Sequence, residues 1–171
     1  MTTAQPYTTF GVVPMTTVAR STGLAFLQGV IGRRHPAPPF AETSDIWMTL
    51  AEHGRVVFEA TPSQRFLNPL GTVHGGWIST LIDSAMGCAV HSTLKPGFGY
   101  TTVDMTVTFV RAVMPASGIL TCEGKIVHSG GRIATAEGRI VDAAGKLIAH
   151  GTETCMILKI PAAGEAPDGV G

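Results

Sequence analysis

The chain has 171 residues, which accommodates one domain of ordinary size with one core. Twelve basic and twelve acidic residues cancel to a net charge of zero, which argues against the basic surface that nucleic-acid binding requires. Only 14% of the residues are charged and 44% are hydrophobic. A small monomer cannot bury that much apolar surface, so we expect a homo-oligomer. Because the charge is balanced, we expect neither DNA nor RNA as a partner.

The cysteines and the N-terminus give expectations about the cellular compartment. Cys88, Cys122 and Cys155 match no zinc-binding spacing and are interpreted as reduced thiols in the core. The first residues contain no basic segment followed by an apolar run, and the most apolar later stretch, 78–90, is short and contains Asp83. We therefore expect a cytoplasmic protein with no membrane span.

Residues 1–45 are predicted to be an N-terminal extension that carries one helix. Apolar residues spaced from Val18 to Ile31 favour a helix that ends at Gly32. The three prolines of the segment 35–39 predict a stiff connector that cannot be helical, since proline fixes its own backbone and biases its predecessor towards extended geometry.

Two strands and a long helix are predicted next. Segments 46–51 and 55–60 are rich in β-forming residues and are separated by a hairpin turn. Segment 61–73 contains prolines and glycine and is predicted as a loop. Segment 74–92 has apolar residues at helical spacing, which predicts one central hydrophobic helix.

Four strands complete the predicted domain. From Tyr100 to Arg111 the apolar residues alternate with polar ones. The pattern predicts one face with Val103, Met105, Val107 and Phe109, and an opposite face with Thr102, Asp104, Thr106 and Thr108. Three further strands are predicted at 119–128, 132–141 and 146–158. The predicted fold class is α+β, an antiparallel sheet wrapped around the central helix over residues 46–160, followed by a disordered tail at 161–171.

Two features at the central helix indicate chemistry. Gly75 and Gly76 fall at the helix start, where unpaired N–H groups and the helix dipole suit a carbonyl that becomes an oxyanion. The alternative is a simple tight turn, and spacing alone does not separate the two interpretations. Asp83 lies within the apolar helix, where an unpaired carboxylate costs several kcal/mol. Alone it is more simply an exposed or interface residue, but together with the glycine pair it favours a functional site.

A family resemblance rests on Asn68, the run His74-Gly75-Gly76 and Asp83, set on a hydrophobic helix. This arrangement resembles the PaaI-type (phenylacetic-acid-degradation) acyl-CoA thioesterases of the hotdog superfamily. The similarity runs from Leu24 to Leu158 and includes the segments 99–104, 109–111 and 126–132. The resemblance implies a hotdog dimer, often paired into a tetramer, with two active sites at the dimer interface.

The resemblance also implies roles for individual residues. By motif position, the Gly75 N–H would polarise the thioester carbonyl, and Asp83 of the partner subunit would act as nucleophile or general base. Asn68 would orient water or the carbonyl, and His74 belongs to the same catalytic motif. Thr102 matches a position where some relatives carry a serine near the attacking water.

Four residues are candidates for binding the CoA phosphates: Arg111, Gly130, Gly131 and Arg132. A solvated strand end explains the two arginines equally well. Many relatives have Gly-Arg-Arg where this chain has Gly130-Gly131-Arg132, which leaves the number of phosphate contacts open. No separate cofactor is implied, because CoA is part of the substrate.

The predicted function is hydrolysis of a small aromatic or medium-chain acyl-CoA to the free acid and CoA. One alternative is a non-catalytic hotdog module that binds acyl-CoA, which the carboxylate within an apolar helix disfavours. A hotdog enoyl-CoA hydratase is a lesser alternative, since it would want its Asp before its His. No metal is expected, because nine residues along a helix turn His74 and Asp83 to opposite sides.

Overall fold

The computed structural model describes residues 6–160. Over these residues the chain forms four α-helices and six strands. They are α1 (Met15–Arg20), α2 (Gly23–Ile31), α3 (Pro39–Ser44), β1 (Ile46–Glu52), β2 (Arg55–Ala60), α4 (Gly75–His91), β3 (Phe98–Phe109), β4 (Leu120–Ser129), β5 (Ile133–Val141) and β6 (Leu147–Lys159). The predicted disordered tail lies outside the described residues.

The six strands form one sheet that wraps around α4. Their order is β1-β2-β4-β5-β6-β3, and every neighbouring pair is antiparallel. The inner face of the sheet packs on α4, which contacts all six strands. The helix residues Leu81, Ile82, Ala85, Met86 and Ala89 are fully buried there. The predicted α+β hotdog architecture is therefore confirmed.

Small residues on the sheet allow this close contact. A β-carbon at Gly124 of β4 would lie 2.2 Å from the carbonyl oxygen of Ala85, which is backbone of α4 and cannot move aside. A β-carbon at Gly138 of β5 would lie 2.6 Å from the side chain of Ile82. Glycine at these positions lets the helix lie directly on the sheet.

The N-terminal extension differs from its prediction, because the single predicted helix is two helices. The chain breaks before Thr22, whose side chain caps α2 by accepting the N–H of Ala25 at 3.2 Å. Gly23 then donates its N–H to Leu94 at 3.0 Å. A β-carbon at Gly23 would overlap the carbonyl of His91. The break therefore lets α2 begin against the C-terminal end of α4.

The predicted non-helical connector is wrong at its last residue. Pro39 is the first residue of α3. A proline fits there because the first turn of a helix has no intrahelical use for its missing N–H. Residues 35–38 are irregular, as predicted, and α3 ends at Ser44, followed by its C-cap Asp45 in the left-handed conformation.

The predicted alternation along β3 is also wrong in one half of the strand. Thr102 pairs with Cys155 and Asp104 pairs with Thr154, so Val103 is an extra residue in a β-bulge. Val103 is 49% exposed, whereas Met105 packs against the core. The bulge reverses the phase of the side chains, so Thr102 faces α4 on the same side as Met105. Strand β3 is an edge of the sheet.

Candidate functional site

The start of α4 presents one free backbone donor. His74 is the N-cap, and its Nδ1 accepts the N–H of Gly76 at 2.9 Å. Across residues 6–160, the N–H of Gly75 has no protein acceptor. This N–H lies at the positive end of the helix dipole, so it can donate to an oxygen of a bound molecule.

Asn68 organises the loop that leads into α4. Its Oδ1 accepts the N–H of Leu70 at 2.9 Å and that of Thr72 at 3.3 Å, while its Nδ2 donates to Thr72 Oγ1 at 2.8 Å. The backbone N–H of His74 donates to Phe66 at 2.7 Å. In this structure the Asn68 amide holds its own loop, so its predicted contact with water or substrate stays a prediction.

Asp83 lies on α4, eight residues after Gly75, and is half-buried. Its Oδ1 is 3.5 Å from the Thr102 hydroxyl oxygen. Burial raises the pKa of the Asp83 carboxyl above its ordinary value, and the hydrogen bond from Thr102 offsets part of that rise. Once ionised, this carboxylate is a stronger base than an exposed aspartate.

Glu153 is a second carboxyl at the same place, and the sequence analysis missed it. It is only 1% exposed, and its Oε1 is 2.6 Å from the Thr102 hydroxyl oxygen and 3.1 Å from Cys155 Sγ. Burial raises the pKa of Glu153, and the negative charge of Asp83 raises it further, while the hydrogen bonds from Thr102 and Cys155 lower it. The signal was present in the alternation of β6, which puts Glu153 in phase with the buried Ala149 and Cys155.

An apolar cavity of about 410 Å³ lies over Asp83. The extension and the first two strands supply most of its wall, including the aromatic side chains Phe26, Phe40, Trp47 and Phe58. Asp83, Ser84, Cys88 and Tyr100 also line it. Burial raises the pKa of Cys88 to about 12, which favours the neutral thiol over the nucleophilic thiolate.

The predicted catalytic residues form two separate groups within one chain. Asp83 and Thr102 lie together beside the cavity, whereas Asn68, His74 and Gly75 lie at the start of α4 and do not line it. Eight helical residues correspond to about 12 Å along the axis. One thioester carbonyl cannot contact both Gly75 and Asp83 of the same protomer.

The predicted phosphate-binding residues are also separated. Arg111 follows β3 and donates to the carbonyl of Leu147 at 2.8 Å, at the start of β6. The carbonyl of Arg132 accepts the N–H of Ile157 at 2.9 Å, near the end of β6, with Gly130 and Gly131 in the adjoining turn. Ten strand residues span about 33 Å. Within one protomer, the two arginines cannot hold the same phosphate.

The described residues contain neither a candidate metal site nor a candidate membrane span. No cluster of three or more His, Cys, Asp or Glu side chains suitable for a metal ion occurs within that range. None of the helices in the same range has the length and apolar character needed to cross a bilayer.

Comparison with known proteins gives a family match. The family model described as Thioesterase superfamily matches residues 70–149. A curated protein of Halobacterium salinarum, named "Putative esterase", is 42% identical over 65 residues, which are 37% of this chain and 41% of the relative. The match therefore spans about two fifths of that relative's length.

Solved structures share the fold. A "putative thioesterase, phenylacetic acid degradation-related protein" from Ralstonia eutropha JMP134 is 25% identical with a TM-score of 0.70, covering 77% of this chain and 98% of that one. A hypothetical thioesterase with coenzyme A from Streptococcus pneumoniae TIGR4 is 24% identical with a TM-score of 0.62, covering 68% of this chain and 88% of that one. The family match over residues 70–149 and the shared architecture confirm the predicted resemblance of this chain to the thioesterases of the hotdog superfamily.

Proposed function

We propose that the protein hydrolyses the thioester of an acyl-CoA to the free acid and CoA, with Asp83 as the reacting carboxylate. The observation that carries this proposal is the position of Asp83, a half-buried carboxyl at the wall of an apolar cavity. The Streptococcus pneumoniae structure, which contains coenzyme A, supports CoA as the carrier group of the substrate.

The chemistry follows from two donors and one carboxylate. In one route the ionised Asp83 attacks the thioester carbon and the CoA thiolate leaves, after which water hydrolyses the resulting anhydride to the free acid and Asp83. In the other route Asp83 takes a proton from the attacking water, and the tetrahedral intermediate collapses to the free acid as the CoA thiolate leaves. The hydroxyl of Thr102, 3.5 Å from Asp83, orients the carboxylate. The free N–H of Gly75 stabilises the negative charge that develops on the carbonyl oxygen.

A complete site requires two protomers in this proposal. Because Gly75 and Asp83 of one chain are about 12 Å apart along the helix, the Gly75 of one protomer works with Asp83 of the partner subunit. The edge strand β3 and the segment after it expose an apolar surface suited to such pairing, formed by Val103, Phe109, Val110 and Met114. A dimer of dimers is a further expectation.

The cavity also indicates the acyl group. Its aromatic and aliphatic wall favours a small aromatic or medium-chain acyl group, and the part of the wall formed by the described residues contains no Lys, Arg or His. The nucleotide end of CoA would lie outside the cavity, where Arg111 or Arg132 can reach a phosphate. CoA thioesters and unpaired cysteines both fit the cytoplasm as the site of action.

The proposal is tested with a panel of acyl-CoA substrates and detection of the released thiol. We expect hydrolysis of aromatic or medium-chain substrates by the native protein and its loss in Asp83→Asn. Glu137→Gln is the matched control, because Glu137 is an exposed carboxylate on β5. If the panel is bound but not hydrolysed by the native protein, the protein is a binding module and the proposal fails.

A further inference from the structure

Glu153 is a buried carboxyl that forms no ion pair with any residue in the range 6–160. It lies on the inner face of the sheet, between Met105 of β3 and Ala136 of β5, and within the same range its Oε2 has no hydrogen-bond partner. An unpartnered carboxylate oxygen would carry charge in an apolar interior, whereas the carbonyl oxygen of a neutral acid carries only a dipole. The environment of Glu153 therefore favours the protonated form.

The hydrogen bonds of Thr102 lead to the same conclusion. Its hydroxyl oxygen contacts Glu153 Oε1 at 2.6 Å and Asp83 Oδ1 at 3.5 Å, but a hydroxyl has only one proton. If both carboxyls were ionised, one of the two contacts would be a repulsion between lone pairs. A proton on Glu153 resolves this, because Glu153 then donates to Thr102 and Thr102 donates to Asp83.

The depth of each carboxyl decides which one holds the proton. Glu153 is 1% exposed, while Asp83 is half-buried at the cavity, so ionisation costs more at Glu153. We propose that Glu153 is a protonated positioning residue that, through the Thr102 hydroxyl, holds the ionised Asp83 carboxylate towards the substrate. The catalytic part of this inference rests on the proposed function.

Among the described residues, the titratable groups that face Glu153 supply no positive charge. Asp83 and Cys88 face it from α4, Tyr100 from β3 and Cys155 from β6 itself. His91 lies beyond Tyr100, with the ring centroids 5.7 Å apart, and burial lowers its pKa. All of these thiol, phenol and imidazole groups are neutral in the proposed arrangement. The carboxyls of Asp83 and Glu153 therefore carry one negative charge between them.

A spectroscopic experiment tests the proton without requiring catalysis. We expect the infrared difference spectrum between the native protein and Glu153→Gln at pH 7 to show a protonated carboxylic acid C=O band in the native protein. The same subtraction with Glu137→Gln should show none. A difference spectrum with only carboxylate bands overturns the proposal, whether or not the protein hydrolyses any acyl-CoA.

Kinetics then test the positioning role. Gln can still donate to Thr102 and Leu cannot, so kcat of Glu153→Gln should exceed that of Glu153→Leu by at least ~10-fold, the effect of one hydrogen bond near a charge, with similar KM. The acidic limb of kcat/KM against pH should stay in place in Glu153→Gln. A shift of that limb to lower pH overturns the proposal, because it would show that a charged Glu153 had raised the pKa of Asp83.

A second pair of variants covers the case in which Glu153→Leu does not fold. Thr102→Ser keeps the connecting hydroxyl and Thr102→Val removes it, at nearly constant volume. We expect kcat of the serine variant to exceed that of the valine variant by a similar factor of ~10. Equal kcat values in the two variants, with native circular dichroism, overturn the proposal.

Discussion

The imidazole of His74 and the amide of Gly76 form a local hydrogen bond of 2.9 Å, from the Gly76 N–H to His74 Nδ1. This bond satisfies the second amide of α4 and leaves the first, that of Gly75, free within residues 6–160. For Nδ1 to accept this bond, the imidazole must be the neutral tautomer that carries its proton on Nε2. The pair thus defines one donor at the helix start and not two.

Gly75→Pro removes that donor while keeping the helix. Proline is favoured at the first helical position, and His74 before it already has the extended conformation, at φ −62° and ψ 134°, that a following proline prefers. We expect kcat to fall ~10²–10³-fold, as for other lost oxyanion donors. Gly75→Ala is the control, because it keeps the N–H and adds a β-carbon 3.3 Å from Phe109. Equal turnover in the two variants would contradict a role for the Gly75 amide.

Mixing two inactive variants tests the shared site. Asp83→Asn supplies an intact Gly75, and Gly75→Pro supplies an intact Asp83. If each site uses one residue from each protomer, an equal mixture after subunit exchange should regain about one quarter of native activity, since half of the dimers carry one intact site. Light scattering should show at least a dimer at micromolar concentration. A monomer, or an exchanged mixture that stays inactive, would rule out the shared arrangement.

Asp83→Asn should remove the chemical step. It preserves size but removes nucleophilicity and basicity, so we expect kcat to fall by ~10²–10⁴-fold, the range for loss of a general base. The pH profile of the native enzyme should have an acidic limb above the ordinary aspartate pKa, because burial raises the pKa of Asp83. Retained turnover in a folded Asp83→Asn would return Asp83 to a structural role.

The same substitution should change stability with pH. Since the folded pKa of Asp83 is raised, its protonation favours the native state below the ordinary pKa of ~3.9, and this contribution is lost as pH rises through the folded pKa. Asp83→Asn should therefore be more stable than the native protein at pH 7. The difference should shrink towards pH 4 in urea unfolding. A variant less stable than native at pH 7 would show that the carboxylate is well paired there.

Arg132→Ala tests the phosphate contact at one end of β6. A charge-assisted contact is worth about 1.5–3 kcal/mol, so KM should rise at least ~10-fold with kcat nearly unchanged. Arg111→Ala serves as the comparison, because Arg111 lies at the opposite end of β6. An unchanged KM for Arg132→Ala at low salt would mean that its guanidinium is solvated.

Gly124→Ala tests the contact between sheet and helix. Its β-carbon would lie 2.2 Å from the Ala85 carbonyl, so α4 or β4 must shift, at a cost of about 1–3 kcal/mol or more. Gly131→Ala is the control for stability, because, apart from its own neighbours in the chain, no atom of the described residues lies within 4 Å of its β-carbon position. Thermal unfolding should show a lower Tm for the first variant and little change for the second. Similar Tm values for both would mean that the helix adjusts freely.

Local sequence patterns predict most of the helices and strands. They do not predict features that depend on contacts between segments distant in the sequence. The apolar spacing of α4 and the turn glycine Gly54, which has φ +77°, act within a few residues, so both were readable from the sequence. The break at Thr22 depends on the carbonyl of His91, which is remote in sequence. The link from Glu153 through Thr102 to Asp83 joins three elements, and only the folded chain brings them together.

The bulge at Val103 interrupts the alternation of inward-facing and outward-facing side chains along β3, so the residues before it and after it follow separate alternations. Tyr100 and Thr102, before it, face the carboxyl pair, while Met105 and Val107, after it, pack on the core. An alignment that runs through this strand without a gap would assign the hydroxyl position to the wrong residue in any relative that lacks the extra residue. Deleting Val103 would leave a regular alternation in which Thr102 and Met105 still face inwards, because their partners Cys155 and Glu153 already lie on the same face of β6. The bulge is therefore where a pocket graft between this chain and another protein of the same fold should be joined.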